Sequence, residues 1–173
     1  MPLHLHALLL AAPCQGPAAP LDPPADRAMT GALAPGTPAA TAAELAWGDF
    51  DGDGLEDLCV LVPGRSDRLL QNVGDGTFVD VTAAAGMASG SSRAAAWHDA
   101  DGDGRADLLL VTGSGGLRLL RGAGQGLLEE STDHAGLGGL SGVRSAEWLD
   151  YDRDGLPDLR VAGRTSSFSL RGQ

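Results

Sequence analysis

The 173-residue sequence is poor in cysteine and in basic residues, and these shortages exclude several classes of protein. Its two cysteines, Cys14 and Cys59, lie far apart, so they build neither a disulfide framework nor a CxxC zinc site. Lys and Arg number 12 against 23 Asp and Glu, which gives a formal net charge of −11. Because a surface this acidic repels phosphates, nucleic acid is excluded as a partner.

The sequence also lacks sustained helical periodicity, and it has few aromatic residues. No apolar run is long enough to span a membrane, so no transmembrane segment is predicted. Glycine, by contrast, is abundant at 26 residues and is joined by 10 prolines. This composition is typical of short strands connected by tight turns, in a chain long enough for one domain with a core.

The first 40 residues differ from the rest of the chain. Residues 1–20 contain the short apolar run ALLLAA, which we interpret as the core of a secretory signal or leader segment. A leader without fixed structure and a misassigned start are the alternatives. Cys14 follows this run, but Pro13 stands where a lipoprotein cleavage site needs a small residue. Residues 21–40 are rich in Pro and Ala and are predicted to be a linker.

One acidic pattern occurs three times at nearly constant spacing. WGDFDGDGLEDL at Trp47 returns as WHDADGDGRADL at Trp97, 50 residues later, and as WLDYDRDGLPDL at Trp148, a further 51 residues on. The match extends past the acidic stretch, since RLLQNVGDGTFVDVTAAAGM aligns with RLLRGAGQGLLEESTDHAGL. We therefore assign repeats to residues 41–90, 91–141 and 142–173, the last of them truncated.

Each repeat is predicted to contain about four short antiparallel strands. A strand of small residues leads into the Trp, the acidic loop follows, and an apolar run such as DLLLVT comes next. Two more strands flank a glycine turn such as GDG. Such units are typical of β-propeller blades, so we predict an all-β fold whose two and a half blades form an incomplete ring.

The residues after each loop predict blades that are buried on both faces, since apolar side chains point to either side. Only Arg160 in the last repeat breaks this pattern, where Cys59 and Leu109 stand in the other two. The three equivalent Trp residues are predicted to pack in the core or between blades rather than to stack on a ligand. His98 and His134 are predicted to be surface residues.

The acidic loops carry the spacing D-x-D-x-D-G-x-x-D, which suits a calcium ion. Ca²⁺ takes six to eight oxygen ligands, and here carboxylates at positions 1, 3, 5 and 9 and the carbonyl of position 7 can surround one ion. Glycine at position 6 permits the sharp turn. An EF-hand is disfavoured because position 12, which should be Glu, is apolar in all three loops.

The predicted metal ligands would hold about three Ca²⁺ ions, one per loop. Exposed Asp-Gly turns without metal are the alternative, which the threefold repetition disfavours. Arg153, at position 4 of the third loop, and Pro157, at position 8, predict that the third site is the weakest. The ligands are Asp49, Asp51, Asp53, Leu55 and Asp57; Asp99, Asp101, Asp103, Arg105 and Asp107; Asp150, Asp152, Asp154, Leu156 and Asp158, with Leu55, Arg105 and Leu156 acting through their carbonyls.

With AWGDFDGDG followed by LLQNVGDGTFVDVTAAAGM, the chain resembles the FG-GAP/VCBS-type repeat family, the calcium-loop β-propellers related to integrin α-subunit blades. It looks most like the bacterial secreted branch that resembles cartilage acidic protein. The resemblance covers about residues 40–173, although the Gly-Ala-Pro half of the family's name is absent. It implies a propeller, usually of seven blades, with Ca²⁺ in its loops and a role in extracytoplasmic recognition or adhesion.

The expected function is therefore that of a non-enzymatic, calcium-binding repeat protein, secreted or at the cell surface, with a protein or carbohydrate ligand. No catalytic residues are predicted, because every clustered carboxylate belongs to a repeated loop and no nucleophile has a base beside it. The alternative is a fragment of a larger propeller-bearing secreted enzyme, such as a polysaccharide lyase or hydrolase. An open ring also predicts self-association or further blades that are missing from this sequence.

Overall fold

The computed structural model describes residues 44–87 and 89–163, together with the strand at 167–170. The predicted leader and linker lie outside the described residues. Within them the fold is all-β, as predicted, and no helix is long and apolar enough to cross a membrane. The strands are β1 Glu44–Gly48, β2 Asp57–Leu61, β3 Arg68–Asn72, β4 Phe78–Asp80, β5 Ser92–His98, β6 Asp107–Thr112, β7 Leu117–Gly124, β8 Leu127–Glu130, β9 Val143–Leu149, β10 Asp158–Gly163 and β11 Ser167–Leu170.

These strands form three antiparallel sheets, each a simple up-and-down meander. The first sheet has the order β1-β2-β3-β4, the second β5-β6-β7-β8, and the third β11-β10-β9. The first two strands of every sheet pair in the same register. In each case the Trp pairs with the second residue of the following strand: Trp47 with Leu58, Trp97 with Leu108 and Trp148 with Leu159. The described sheets do not close into a ring, which confirms the prediction of incomplete propeller blades.

The hydrophobic core lies between successive sheets, which pack face to face. Cys59 and Leu69 of the first sheet share one buried cluster with Leu108 and Leu120 of the second. Alternate residues of the second sheet point the other way, so that Leu109 and its neighbours share a second cluster with the third sheet. The middle sheet is thus apolar on both faces, because successive residues of a strand point to opposite sides.

Two of the three Trp residues pack between sheets, as predicted. Trp97 is 5% exposed and covers Gly48 of the first sheet, and its indole N–H donates to the Ala46 carbonyl at 3.2 Å. Trp148 stacks on His98 of the second sheet with ring centroids 5.5 Å apart. The surface prediction is therefore wrong for His98, which is half-buried, whereas His134 is exposed.

Trp47 is the exception, because it is 38% exposed. Among the described residues no sheet packs against its face, and its ring lies edge-on to Phe78 of its own sheet, with ring centroids 6.1 Å apart. The prediction that all three Trp residues lie in the core or between blades is thus wrong for Trp47. At the opposite end of the stack, Arg160 is exposed and pairs with Glu147 at 3.0 Å. The two terminal faces therefore differ in polarity.

Candidate metal centres

Each acidic loop connects the first two strands of its sheet. The loops run over residues 49–56, 99–106 and 150–157, between β1 and β2, β5 and β6, and β9 and β10. Since the three hairpins share one register, the loops occupy the same place in successive blades. The repeat in sequence is therefore a repeat of sites along one edge of the stack.

The first Asp of each loop organises the turn by accepting backbone hydrogen bonds. Asp49 Oδ1 accepts from Gly52 N at 2.8 Å and Asp53 N at 3.1 Å, and its Oδ2 accepts from Gly54 N at 2.9 Å. Asp99 makes the same three bonds in the second loop, and Asp150 makes two of them in the third. The loop amides thus surround one carboxylate and fold the acidic chain back on itself.

Glycine at position 6 adopts the backbone conformation that the motif requires. Gly54, Gly104 and Gly155 have φ of 88°, 85° and 88°, which a residue with a Cβ rarely adopts. Position 4 is also left-handed, and in the third loop Arg153 stands there with φ of 63°. Because a non-glycine residue is strained in this region, the third loop is the least relaxed of the three.

The last Asp of each loop is buried and ties the loop to the sheet. Asp57, which is fully buried, accepts from Phe50 N at 3.0 Å and from Asn72 N of β3 at 2.8 Å. Asp107 makes the equivalent two bonds, and Asp158 accepts from Tyr151 N at 2.9 Å. In the first two loops these side chains therefore connect the acidic loop to the strand behind it.

Burial makes the charged form of these aspartates unfavourable. It raises the pKa of Asp57 to about 7, against the two backbone hydrogen bonds that lower it, and the charges of Asp51 and Asp53 raise it further. Burial raises the pKa of Asp107 in the same way. A nearby cation would relieve this cost, because an opposite charge favours the ionised carboxylate.

The carboxylates approach one another closely enough to share an ion. In each loop, oxygens from three Asp residues lie within 4.8 Å of one another. Their donor atoms are all oxygens, which suits a hard cation such as Ca²⁺. The role of the position 7 carbonyls as metal ligands stays a prediction. The N–H of the same residue donates to the position 5 Asp at 2.8–2.9 Å in every loop. The three groups are Asp49, Asp51 and Asp53; Asp99, Asp101 and Asp107; Asp150, Asp152 and Asp158.

Sequence reasoning missed the residues of β3 and β7 that reach into the loops. Gln71 Nε2 donates to Asp51 Oδ2 at 2.5 Å, and Arg121 in the equivalent position pairs with Asp101. Arg105, predicted only as a carbonyl ligand, also pairs its guanidinium with Asp103 at 2.5 Å. The signal that could have revealed them is the alignment of RLLQN with RLLRG, in which Gln71 and Arg121 occupy the same position of the repeat.

Sheets in register, each with an acidic loop after its first strand, define a β-sheet repeat protein with propeller-type blades. The FG-GAP-like repeat family matches the chain twice, at residues 49–110 and 99–161. The chain belongs to this family, as the sequence motifs predicted. A comparison with curated proteins found no match.

Proposed function

We propose that this chain is a calcium-binding, non-enzymatic repeat protein that acts in recognition or adhesion outside the cytoplasm. The observation that carries the proposal is the threefold repetition of one loop with three carboxylates gathered within 4.8 Å. Like charges held this close repel, and a divalent cation among them would turn the repulsion into attraction. Catalytic carboxylate pairs need no such repetition, which favours a binding role.

The bound ion would act as a structural staple. In the second and third loops the gathered carboxylates include the buried Asp at position 9, so a cation would link the exposed turn to that residue. In the second loop this residue, Asp107, is already bonded to Gly122 of β7. Binding of the cation would therefore fix the first two strands of each sheet relative to each other. Because the loops lie on one edge, calcium would order a single surface on which a protein or carbohydrate ligand could bind.

The proposed location follows from the expected affinity. These loops carry four Asp but lack the bidentate Glu of an EF-hand, so a dissociation constant on the order of 10⁻⁴ to 10⁻³ M is expected, as in extracellular modules. Such sites fill at extracellular calcium concentrations and stay empty at the micromolar or lower levels to which sensors in the cytoplasm respond. A structural role for calcium therefore favours a secreted or cell-surface protein.

Calcium titration of the metal-free full chain tests the proposal. We expect heat of binding for about three ions, and a higher melting temperature in millimolar Ca²⁺. Mg²⁺ should bind more weakly than Ca²⁺, because it demands a smaller octahedral site. A variant with position 3 neutralised in every loop (Asp51→Asn, Asp101→Asn, Asp152→Asn) should lose both responses.

The matched control removes the same amount of charge outside the loops, with Asp75→Asn, Glu129→Asn and Asp133→Asn. This control should keep the calcium response of the original protein. No heat and no thermal shift in the unmodified chain would refute the proposal. A full response in the position 3 variant would show that calcium binds elsewhere.

A further inference from the structure

The first two acidic loops differ in the side chain that covers them from the neighbouring strand. Leu70 of β3 pairs with Leu58, and Leu120 of β7 pairs with Leu108, so the residues that follow, Gln71 and Arg121, are equivalent. Both reach the position 3 Asp of their own loop. One of them is neutral and the other carries a positive charge.

In the first loop, none of the described side-chain contacts involves a positively charged side chain. Gln71 Nε2 donates to Asp51 Oδ2 at 2.5 Å, and Leu55 at position 7 offers no polar side chain. Asp53 uses its Oδ1 to accept from Leu55 N at 2.8 Å. The negative charge of this loop is thus held by amide donors alone.

In the second loop, two guanidinium groups lie among the carboxylates. Arg121 pairs with Asp101 and lies 3.4 Å from Asp103 Oδ2. Arg105 pairs with the same Asp103 oxygen at 2.5 Å, and its Nε donates to the Gly122 carbonyl of β7 at 2.7 Å. Two positive charges therefore already neutralise part of the site that a metal ion would occupy.

We propose that Arg121 is a built-in counter-cation of the second loop, which holds the loop together without metal and weakens its affinity for Ca²⁺ relative to the first loop. This inference rests on the proposed function. A dication in the second loop must either displace the guanidinium from Asp101 or bind beside it. At a separation of about 5 Å in a water-like dielectric, the repulsion between the two corresponds to roughly a tenfold loss of affinity.

A site-resolved calcium titration of the full chain by NMR tests this proposal. The amides of Gly54 and Gly104, at position 6 of each loop, report on the two loops separately. We expect Gly54 to reach half-saturation at a calcium concentration about tenfold lower than Gly104. The variant Arg121→Gln should remove most of that difference by shifting Gly104 alone. The reciprocal variant Gln71→Arg should weaken the first loop and leave the second unchanged.

Arg160→Gln, which removes an arginine of the third sheet, away from the first and second loops, is the control and should change neither midpoint. Equal midpoints in the unmodified protein, or an Arg121→Gln midpoint within twofold of the original, would overturn the proposal while leaving calcium binding intact. If Arg121→Gln fails to fold, Gln71→Arg decides by the same criterion. No response of either glycine would refute calcium binding and this inference with it.

A measurement without metal tests whether Arg121 stabilises the second loop when no Ca²⁺ is bound. In EDTA at low ionic strength, Arg121→Gln should lower the melting temperature more than Arg160→Gln does, since the second loop loses its counter-cation. The gap between the two variants should narrow at high salt, because exposed charges are screened. An Arg121→Gln melting temperature equal to that of the control would show that Arg121 does not hold the metal-free loop.

Discussion

At the scale of single residues, the acidic loops combine two kinds of aspartate. Those at positions 1, 3 and 5 are half-buried or exposed and bond to loop amides, whereas Asp57, Asp107 and Asp158 are at most 3% exposed. The buried group serves the fold directly, because its oxygens satisfy backbone N–H groups of the loop and of the sheet. The conformation of each acidic loop therefore depends on one buried side chain in its repeat.

Replacing Asp57 with Ala should destabilise the fold even when no metal is present. The buried N–H of Phe50 and the half-buried N–H of Asn72 would lose their acceptor, which costs about 3 kcal/mol. Asp57→Asn keeps one acceptor oxygen and should lose about half as much. Urea unfolding in EDTA measures these losses. Glu56→Ala, at an exposed neighbouring position, is the control; an equal loss there would contradict this account.

Cys59 is a second residue whose behaviour is determined by burial. It is fully buried in the first core cluster, and burial raises the pKa of its thiol to about 12. Since the thiolate is the reactive form, Cys59 should react with thiol reagents far more slowly in the folded protein than in urea. A Cys14→Ser background isolates the signal of Cys59. Equal rates in the two states would show that this face of the sheet opens readily.

At the scale of elements, contact between sheets depends on which residue lies under each Trp. Gly48 leaves room for Trp97, and a Cβ added there would lie 2.5 Å from the Trp97 ring. At the equivalent position of the second sheet, His98 fills the space, and Trp148 stacks on its ring instead. The same strand register thus supports two different contacts, and the smaller residue allows the closer approach.

Gly48→Ala should therefore destabilise the contact between the first and second sheets. The methyl group would overpack a buried site, and such changes cost about 2 kcal/mol. Gly139→Ala is a suitable control, because an added Cβ there meets nothing within 4 Å. Thermal unfolding followed by tryptophan fluorescence would report both variants. A Gly48→Ala variant as stable as the control would mean that Trp97 shifts at little cost.

At the scale of the whole molecule, the stack of three sheets ends in two unlike faces. The third sheet presents the Arg160–Glu147 ion pair, which water can solvate. The outward face of the first sheet carries the cluster Leu58, Val60 and Leu70, whose members are at most 5% exposed, and Trp47 beside it is 38% exposed. In the second sheet, the equivalent face with Trp97 is covered by a neighbouring sheet. The first sheet thus has a face of the type that this fold otherwise packs against another blade.

We predict that the full chain self-associates through this face of the first sheet. Sedimentation velocity should show species larger than a monomer, and an apolar dye should bind. Trp47→Arg should shift the protein toward monomer and reduce dye binding, because it places a charge on the contact surface. Tyr151→Arg changes an aromatic residue that is 68% exposed but lies in the third loop, so it should leave association unchanged. A dye-negative monomer would contradict the prediction.

The sequence by itself determined the repeat, the strands and the positions of the acidic loops, because these depend on local spacing. The apolar run after each loop predicted the two buried faces, and glycine at position 6 predicted a sharp turn, where the structure has a left-handed backbone. Only the tertiary structure decided which face of each sheet meets a neighbour. Trp47, Trp97 and Trp148 occupy equivalent positions of the repeat, yet their exposure differs, since burial depends on what packs against them. The contacts of Gln71 and Arg121 with their loops likewise join residues about 20 positions apart, which hairpin pairing brings together and local sequence patterns do not reveal.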